Sequence, residues 1–259
     1  MTTHNLLGYF GVRFDSGEFA EPRHRYAIFS SPRTGSNYLC ARLNNLEHRL
    51  GIPMEYLHAD AIRLMGARLL PGAVGPVKLE RYLDAVARVR TTRDGWFGVK
   101  IQPDQLFPVF EGDITRVARF LESFDRLIFM TRADKLGQAV SGAIAHATGV
   151  WFNFGEESVM ANSDATLLFP QIDRLHTQYV AEDGLISELR RKLAGRPQIH
   201  IAYEKIQHDP QSAFQCVAAF LGLEKTALAA EKLITQPTRK PLGDWAEQVR
   251  SAYLGRPPE

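Results

Sequence analysis

The chain has 259 residues, 45% of them apolar, which is enough to bury one sizeable core. Its 31 basic and 29 acidic residues leave a net charge of +2, without the dense basic face of a nucleic-acid binder. The start shows no charged head followed by an apolar stretch, and no apolar run is long enough to cross a bilayer, so a cytoplasmic chain is expected.

In chain order, residues 1–24 form an N-terminal extension, and Tyr26–Phe29 reads as a buried strand. It breaks into Ser30-Ser-Pro-Arg-Thr-Gly-Ser36, followed by a helical pattern of Leu39, Leu43, Leu46 and Leu50. Strand, small-residue loop and helix is how backbone N–H groups gather around an oxyanion. Gly35 allows close approach, Thr34 and Ser36 add hydroxyls, and Arg33 adds positive charge. The competing reading is a capped turn with Ser36 as N-cap. No G-x-x-x-x-G-K-[ST] occurs, so the loop is not a Walker A loop.

Glu55 and His58 follow a turn at Gly51-Ile-Pro, and Lys100 stands near the end of a strand at 97–102. Arg126–Thr131 is a strand that runs into Arg132. A helix over Asp134–Ala147 carries an apolar stripe and a second row of small residues, Gly137, Ser141 and Ala145, which permits close approach by a ligand or a neighbouring helix. Residues 152–170 read as an irregular insertion, and 172–193 as a long helix before a strand at 198–202. The alternation predicts one α/β domain, 1–259, with a parallel sheet flanked by helices. Cys40 and Cys216 lie in helical patterns and read as buried thiols in a reducing compartment, and no metal site is expected from their spacing.

The loop around Arg33, Thr34, Gly35, Ser36, Asn37 and Tyr38 resembles the 5′-phosphosulfate loop of sulfotransferases that use PAPS (3′-phosphoadenosine 5′-phosphosulfate). The strand-end Arg132 and the helical Ser141 stand where those enzymes grip the 3′-phosphate. The run of motifs is more specific. Ser31-Pro-Arg-Thr-Gly-Ser-Asn-Tyr-Leu39, Gly51-Ile-Pro-Met-Glu-Tyr-Leu57, Gly98-Val-Lys-Ile101, Thr131 to Ser141, Trp151, Ile201-Ala-Tyr203 and Arg239 to Trp245 fall in one order. Together they resemble the Stf0 family of bacterial carbohydrate sulfotransferases, which includes trehalose 2-sulfotransferase.

That resemblance implies a P-loop-like sulfotransferase fold, PAPS as donor, PAP as product, a carbohydrate or glycolipid acceptor and a possible homodimer. It makes Glu55 the general base and adds Arg239 to the donor contacts. The strand-end Gln102 occupies the place where many cytosolic sulfotransferases carry a histidine base, and glutamine cannot act as one. Arg33 and Lys100 are the candidates for stabilising the departing oxygen without a metal. Tyr56, Trp151, Phe152 and Phe154 are candidate sugar platforms, and each also fits a core. A P-loop-like small-molecule kinase and a non-catalytic nucleotide-binding scaffold are the alternatives; the kinase would need the absent Walker lysine.

Overall fold

The computed structural model describes residues 10–16, 21–44, 46, 49–72, 78–151, 164–223 and 243–256. Four strands form its sheet: β1 (His24–Ser30), β2 (Trp96–Ile101), β3 (Arg126–Thr131) and β4 (Gln198–Ala202). All pair in parallel, in the order β2-β1-β3-β4. β1 is therefore central, with its sequence successor on one side and β3 on the other. In such open sheets the crevice at the carboxyl ends, where the order reverses, is the place for a ligand.

Strand alternation sorts the core into two faces. Tyr26, Ile28, Ile128, Met130 and Ile201 face helices α1 (Ser36–Asn44) and α9 (Pro210–Phe220), meeting Leu39, Leu43, Phe214 and Val217. Ala27, Phe29, Phe97, Val99, Leu127 and Phe129 face the other way. There they meet α2 (Ala59–Leu69), α3 (Leu79–Arg90), α5 (Ile114–Leu121) and the end of α7 (Phe169–Lys192). The short α4 (Pro103–Leu106) follows β2 directly, α6 (Lys135–Thr148) follows β3, and α8 (Tyr203–His208) follows β4. A third cluster joins α6 and α7 to the C-terminal α10 (Gly243–Leu254) through Ile144, Ile172, Trp245 and Val249.

Part of the N-terminal extension is firmly packed. Phe10 is buried against the Tyr56 ring, and Asp15 pairs with Arg68 and with the fully buried Arg90.

Three sequence expectations are corrected. The leucine pattern predicts a helix through Leu50, but α1 ends at Asn44; Leu46 and Leu50 lie in turns and still bury their side chains. The second part of the expected insertion is regular. Asp164 caps a 3-10 turn over Ala165–Leu168 that leads into α7, because its carboxylate accepts from Thr166 N–H. Residues 152–163 lie outside the described residues. Finally, Cys40 is buried but Cys216 is exposed, since α9 turns Phe214, Val217 and Ala218 inward and leaves Cys216 on the opposite side.

Candidate active site

The carboxyl ends of all four strands converge. β1 runs into the loop of Ser31 to Gly35, β2 ends beside Lys100, β3 delivers Arg132, and β4 delivers Tyr203. The loop bends tightly: Gly35 has φ +80° and Arg33 has φ +64°. A left-handed arginine is uncommon and costs backbone energy, so the surrounding contacts must hold it. Thr34, fully buried, braces the turn by donating to Ser31 O at 3.0 Å. From α6, the buried Gln138 donates to Ser31 Oγ at 3.0 Å and to Pro32 O at 2.7 Å. A polar residue within an otherwise apolar helical stretch was the available sequence signal for Gln138, and sequence reading missed it.

Two guanidiniums share this crevice. Arg33 donates from Nε to Ser141 Oγ at 3.0 Å and from Nη1 to Trp151 O at 2.7 Å. Arg132 reaches Arg33 O with Nη1 at 3.5 Å and stacks over the Tyr203 ring at 4.3 Å. Burial pulls the Arg33 guanidinium below its ordinary value; Tyr179 and Tyr203 oppose that, and the neighbouring Arg132 charge adds to it. Arg132 Nε is buried with no hydrogen-bond partner among the described residues. An entering anion relieves both the repulsion and the unmet donor.

Arg132 is set by Asp134, which caps α6 through Gly137 N at 2.9 Å and lies 3.5 Å from Arg132 Nη2. Arg250 of α10 donates to the same carboxylate at 2.6 Å. A Cβ at Gly137 would stand 2.1 Å from Asp134 Oδ2 and 2.7 Å from Arg132 Nη2. Gly137 in the small-residue row thus makes room for this cap and arginine.

Below the loop lies Lys100, only 2% exposed and so held away from solvent. Its Nζ donates to Asn37 Oδ1 and to Glu55 Oε1, both at 2.5 Å. Glu55 arrives there because its segment runs along β2: Met54 bridges Val99 in parallel, and Lys100 N–H donates to Met54 O at 2.9 Å. Gln102 Nε2 donates to Glu55 Oε1 at 3.1 Å and Gln105 Nε2 to Oε2 at 2.8 Å. Burial alone would raise the Glu55 carboxyl; the Lys100 ammonium and the bonds from Lys100 and Gln105 outweigh it and hold the carboxyl below its ordinary value.

The remaining expected residues are placed as follows. Ser36 is buried at the start of α1. Tyr38 turns its hydroxyl to Arg42 Nη1 at 2.9 Å. His58, the other candidate base, caps α2 with Nδ1 accepting from Asp60 N–H. Tyr56 is core, not a sugar platform: it is fully buried, stacks on Phe97 and donates to Ile52 O at 2.7 Å. Trp151 is half-buried, with its ring edge-on to His146. Arg239, Phe152 and Phe154 lie outside the described residues.

A crevice of buried cations above a charged carboxylate suits transfer of an anionic group to a hydroxyl. The family model for Stf0 sulphotransferase matches residues 25–252. The chain belongs to the Stf0 sulphotransferase family. Every element of the site described above falls within the matched span. As a sulfotransferase it takes a sulfuryl group from a donor to an acceptor. Solved structures similar to it include a sulfotransferase from Alicyclobacillus acidocaldarius, at 12% identity over 91% of this chain and 92% of that one, with TM-score 0.45. The sulfotransferase domain of the Synechococcus PCC 7002 olefin synthase is 15% identical over 92% and 97%, with TM-score 0.41. The sulfotransferase domain from the curacin biosynthetic pathway is 12% identical over 92% and 100%, with TM-score 0.42. No curated protein matches the chain. Among the described residues, no helix is long and apolar enough to cross a membrane.

Proposed function

We propose that this sulfotransferase moves the sulfuryl group of PAPS to a hydroxyl of a carbohydrate or glycolipid acceptor. The observation that carries the reading is the Lys100 bridge, which joins the anion loop at Asn37 to the carboxylate of Glu55. A cation for the departing oxygen and a base for the attacking hydroxyl are thereby held side by side.

The sulfuryl group passes in line between two oxygens, and charge builds on the departing one. Arg33, Thr34, Gly35 and Ser36 hold the phosphosulfate, with Asn37 fixing Lys100. Arg132 and Ser141 take the 3′-phosphate. Lys100 turns from Glu55 toward the departing oxygen as it gains charge. Glu55 accepts the hydroxyl proton; in the free protein, with Lys100 on it, its lowered carboxyl is ionised at neutral pH. Arg33 and Lys100 supply the positive charge, and no metal is invoked.

Donor recognition is tested by calorimetry. PAP is expected to bind in the micromolar range, about −8 kcal/mol. Adenosine monophosphate, lacking the 3′-phosphate, should bind far more weakly. Gly137→Ala displaces Asp134 or Arg132, because a Cβ there would lie within 2.7 Å of both. It should cut PAP affinity by roughly tenfold, about 1.4 kcal/mol, and leave adenosine monophosphate nearly unaffected. Equal affinity of the wild type for both nucleotides would remove the 3′-phosphate role from Arg132 and Ser141.

A further inference from the structure

We propose that Gln102 and Gln105 form an amide clamp that positions Glu55, keeping its carboxylate aimed and charged when Lys100 turns away toward the donor. The proposal rests on the reading of Glu55 as the base.

The clamp is built from the first turn after β2. Pro103 starts α4 with its φ already set for a helix. Gln105, two residues further on, folds back so that its Oε1 accepts from Gln102 N–H at 3.2 Å. The same amide then has its Nε2 pointing out of the turn, where it donates to Glu55 Oε2 at 2.8 Å. Gln102 donates to the other oxygen, Oε1, at 3.1 Å. Each amide thus has a different oxygen of one carboxylate.

The count of lone pairs shows what this achieves. A carboxylate offers about four acceptor sites. Among the described residues three are filled, by Lys100, Gln102 and Gln105. Were Lys100 the sole anchor, its departure would release the base at the moment of attack. With the clamp, Glu55 keeps one donor on each oxygen, and sites remain open for the acceptor hydroxyl. Neutral amides are suited to this role. They orient the base and favour its ionised form without the full charge that would quench it.

Other groups act on Glu55 from every side: Lys100 on β2, His58 before α2, Asp104 on α4 and Cys40 on α1. Lys100 and His58 favour the ionised form. Asp104 is a carboxyl beside a carboxyl: burial raises it and the Glu55 charge raises it further. Burial pushes the Cys40 thiol up to about 12, so it stays neutral. With Lys100 drawn to the donor, the clamp, together with His58, is what offsets burial and Asp104.

The test uses Gln102→Met and Gln105→Met, each of which removes one donor to Glu55, along with one bond of the α4 capping box, and adds no charge. The primary readout is the titration of the Glu55 carboxyl by carbon NMR, with 13C-labelled glutamate, in the PAP-bound protein. Its resonance is the one lost in Glu55→Gln. Both variants should raise the Glu55 midpoint toward and past the ordinary carboxylate value. With PAPS and an acceptor sugar identified from product screening, kcat should fall by at least roughly tenfold near neutral pH, with the acid limb of the profile moved upward and the PAPS KM unchanged. A merely structural role for the turn predicts the opposite split: a lower Tm, with Glu55 titration and kcat unmoved. That result would overturn the clamp. In the wild type, the side-chain amide protons of Gln102 and Gln105 should shift in step with Glu55 as pH is lowered, a readout that survives if the variants fail to fold. Amide protons insensitive to that titration would also overturn it. The two readings fail separately: a fully active Glu55→Gln removes the base itself, whereas an inactive Glu55→Gln beside fully active glutamine variants removes only the clamp.

Discussion

Glu55→Gln is expected to lower kcat by roughly 10²–10⁴-fold while PAP affinity stays nearly unchanged. The substitution keeps the length and shape of the side chain. Its amide oxygen can still accept from Lys100, which in the native chain is 2.5 Å away. What disappears is the proton acceptor. The proposed donor contacts sit across Lys100, on the loop of Arg33 to Ser36 and at Arg132, so their geometry should not depend on Glu55. Breaking the ion pair leaves a buried ammonium with Asn37 as its strong partner. That should cost stability, up to roughly 3 kcal/mol, because an unpaired buried charge is expensive. Denaturation of the variant, measured alongside PAP calorimetry and steady-state turnover, separates the two effects. Normal turnover would reject Glu55 as the base.

Lys100→Ala should act chiefly on kcat, by about 2–4 kcal/mol of lost transition-state stabilisation, with little change in donor KM. In the free protein, Lys100 is committed to Glu55 and Asn37 rather than offered to a ligand. Its contribution is therefore made mainly as the departing oxygen gains charge. The variant also has a pH signature. Lys100 is the main group that opposes burial at Glu55, so its loss raises the carboxyl. The acid limb of the rate profile should then move to higher pH. Stability follows the same sign. A folded-state carboxyl held below its unfolded value adds stability above the unfolded value and loses it as pH falls through the folded one. The wild type should lead the variant most at neutral pH, and the gap should close on acidification. A donor KM raised as much as kcat is lowered would place Lys100 in ground-state binding instead.

Most of the sheet was legible because buried parallel strands read as short apolar runs; the edge strand β4, with Ile201 alone buried, is the exception. Arg126–Thr131 and Gln198–Ala202 occupy their expected ranges, and the other two strands lie within two residues of theirs. Helix ends were less so. Leu46 and Leu50 repeat with helical spacing yet pack from turns, since burial selects leucine whatever the backbone. The loop and Lys100 stood out because small residues and a strand-end cation are unusual against an apolar background. The connections between them were invisible. Gln105 and Gln138 look like ordinary polar residues, and Gln102 like a position that merely lacks a base, until the fold brings Glu55 and the loop against them. Asp134 and Arg250 are 116 positions apart, and only α10 packing on α6 joins them. Tyr56 was ambiguous for the same reason: an aromatic beside a functional residue can face the site or the core, and Phe97 beneath it decides for the core.

The most direct measurement is a mass-spectrometric screen of products formed from PAPS and a panel of cell-envelope sugars and glycolipids, with and without EDTA, using the wild type and Glu55→Gln. The account predicts a hydroxyl-sulfated sugar and an equal amount of PAP from the wild type in both conditions, and a product strongly reduced with Glu55→Gln. Activity abolished by EDTA and restored by Mg²⁺, or PAP binding with no sulfated sugar anywhere in the panel, would contradict it.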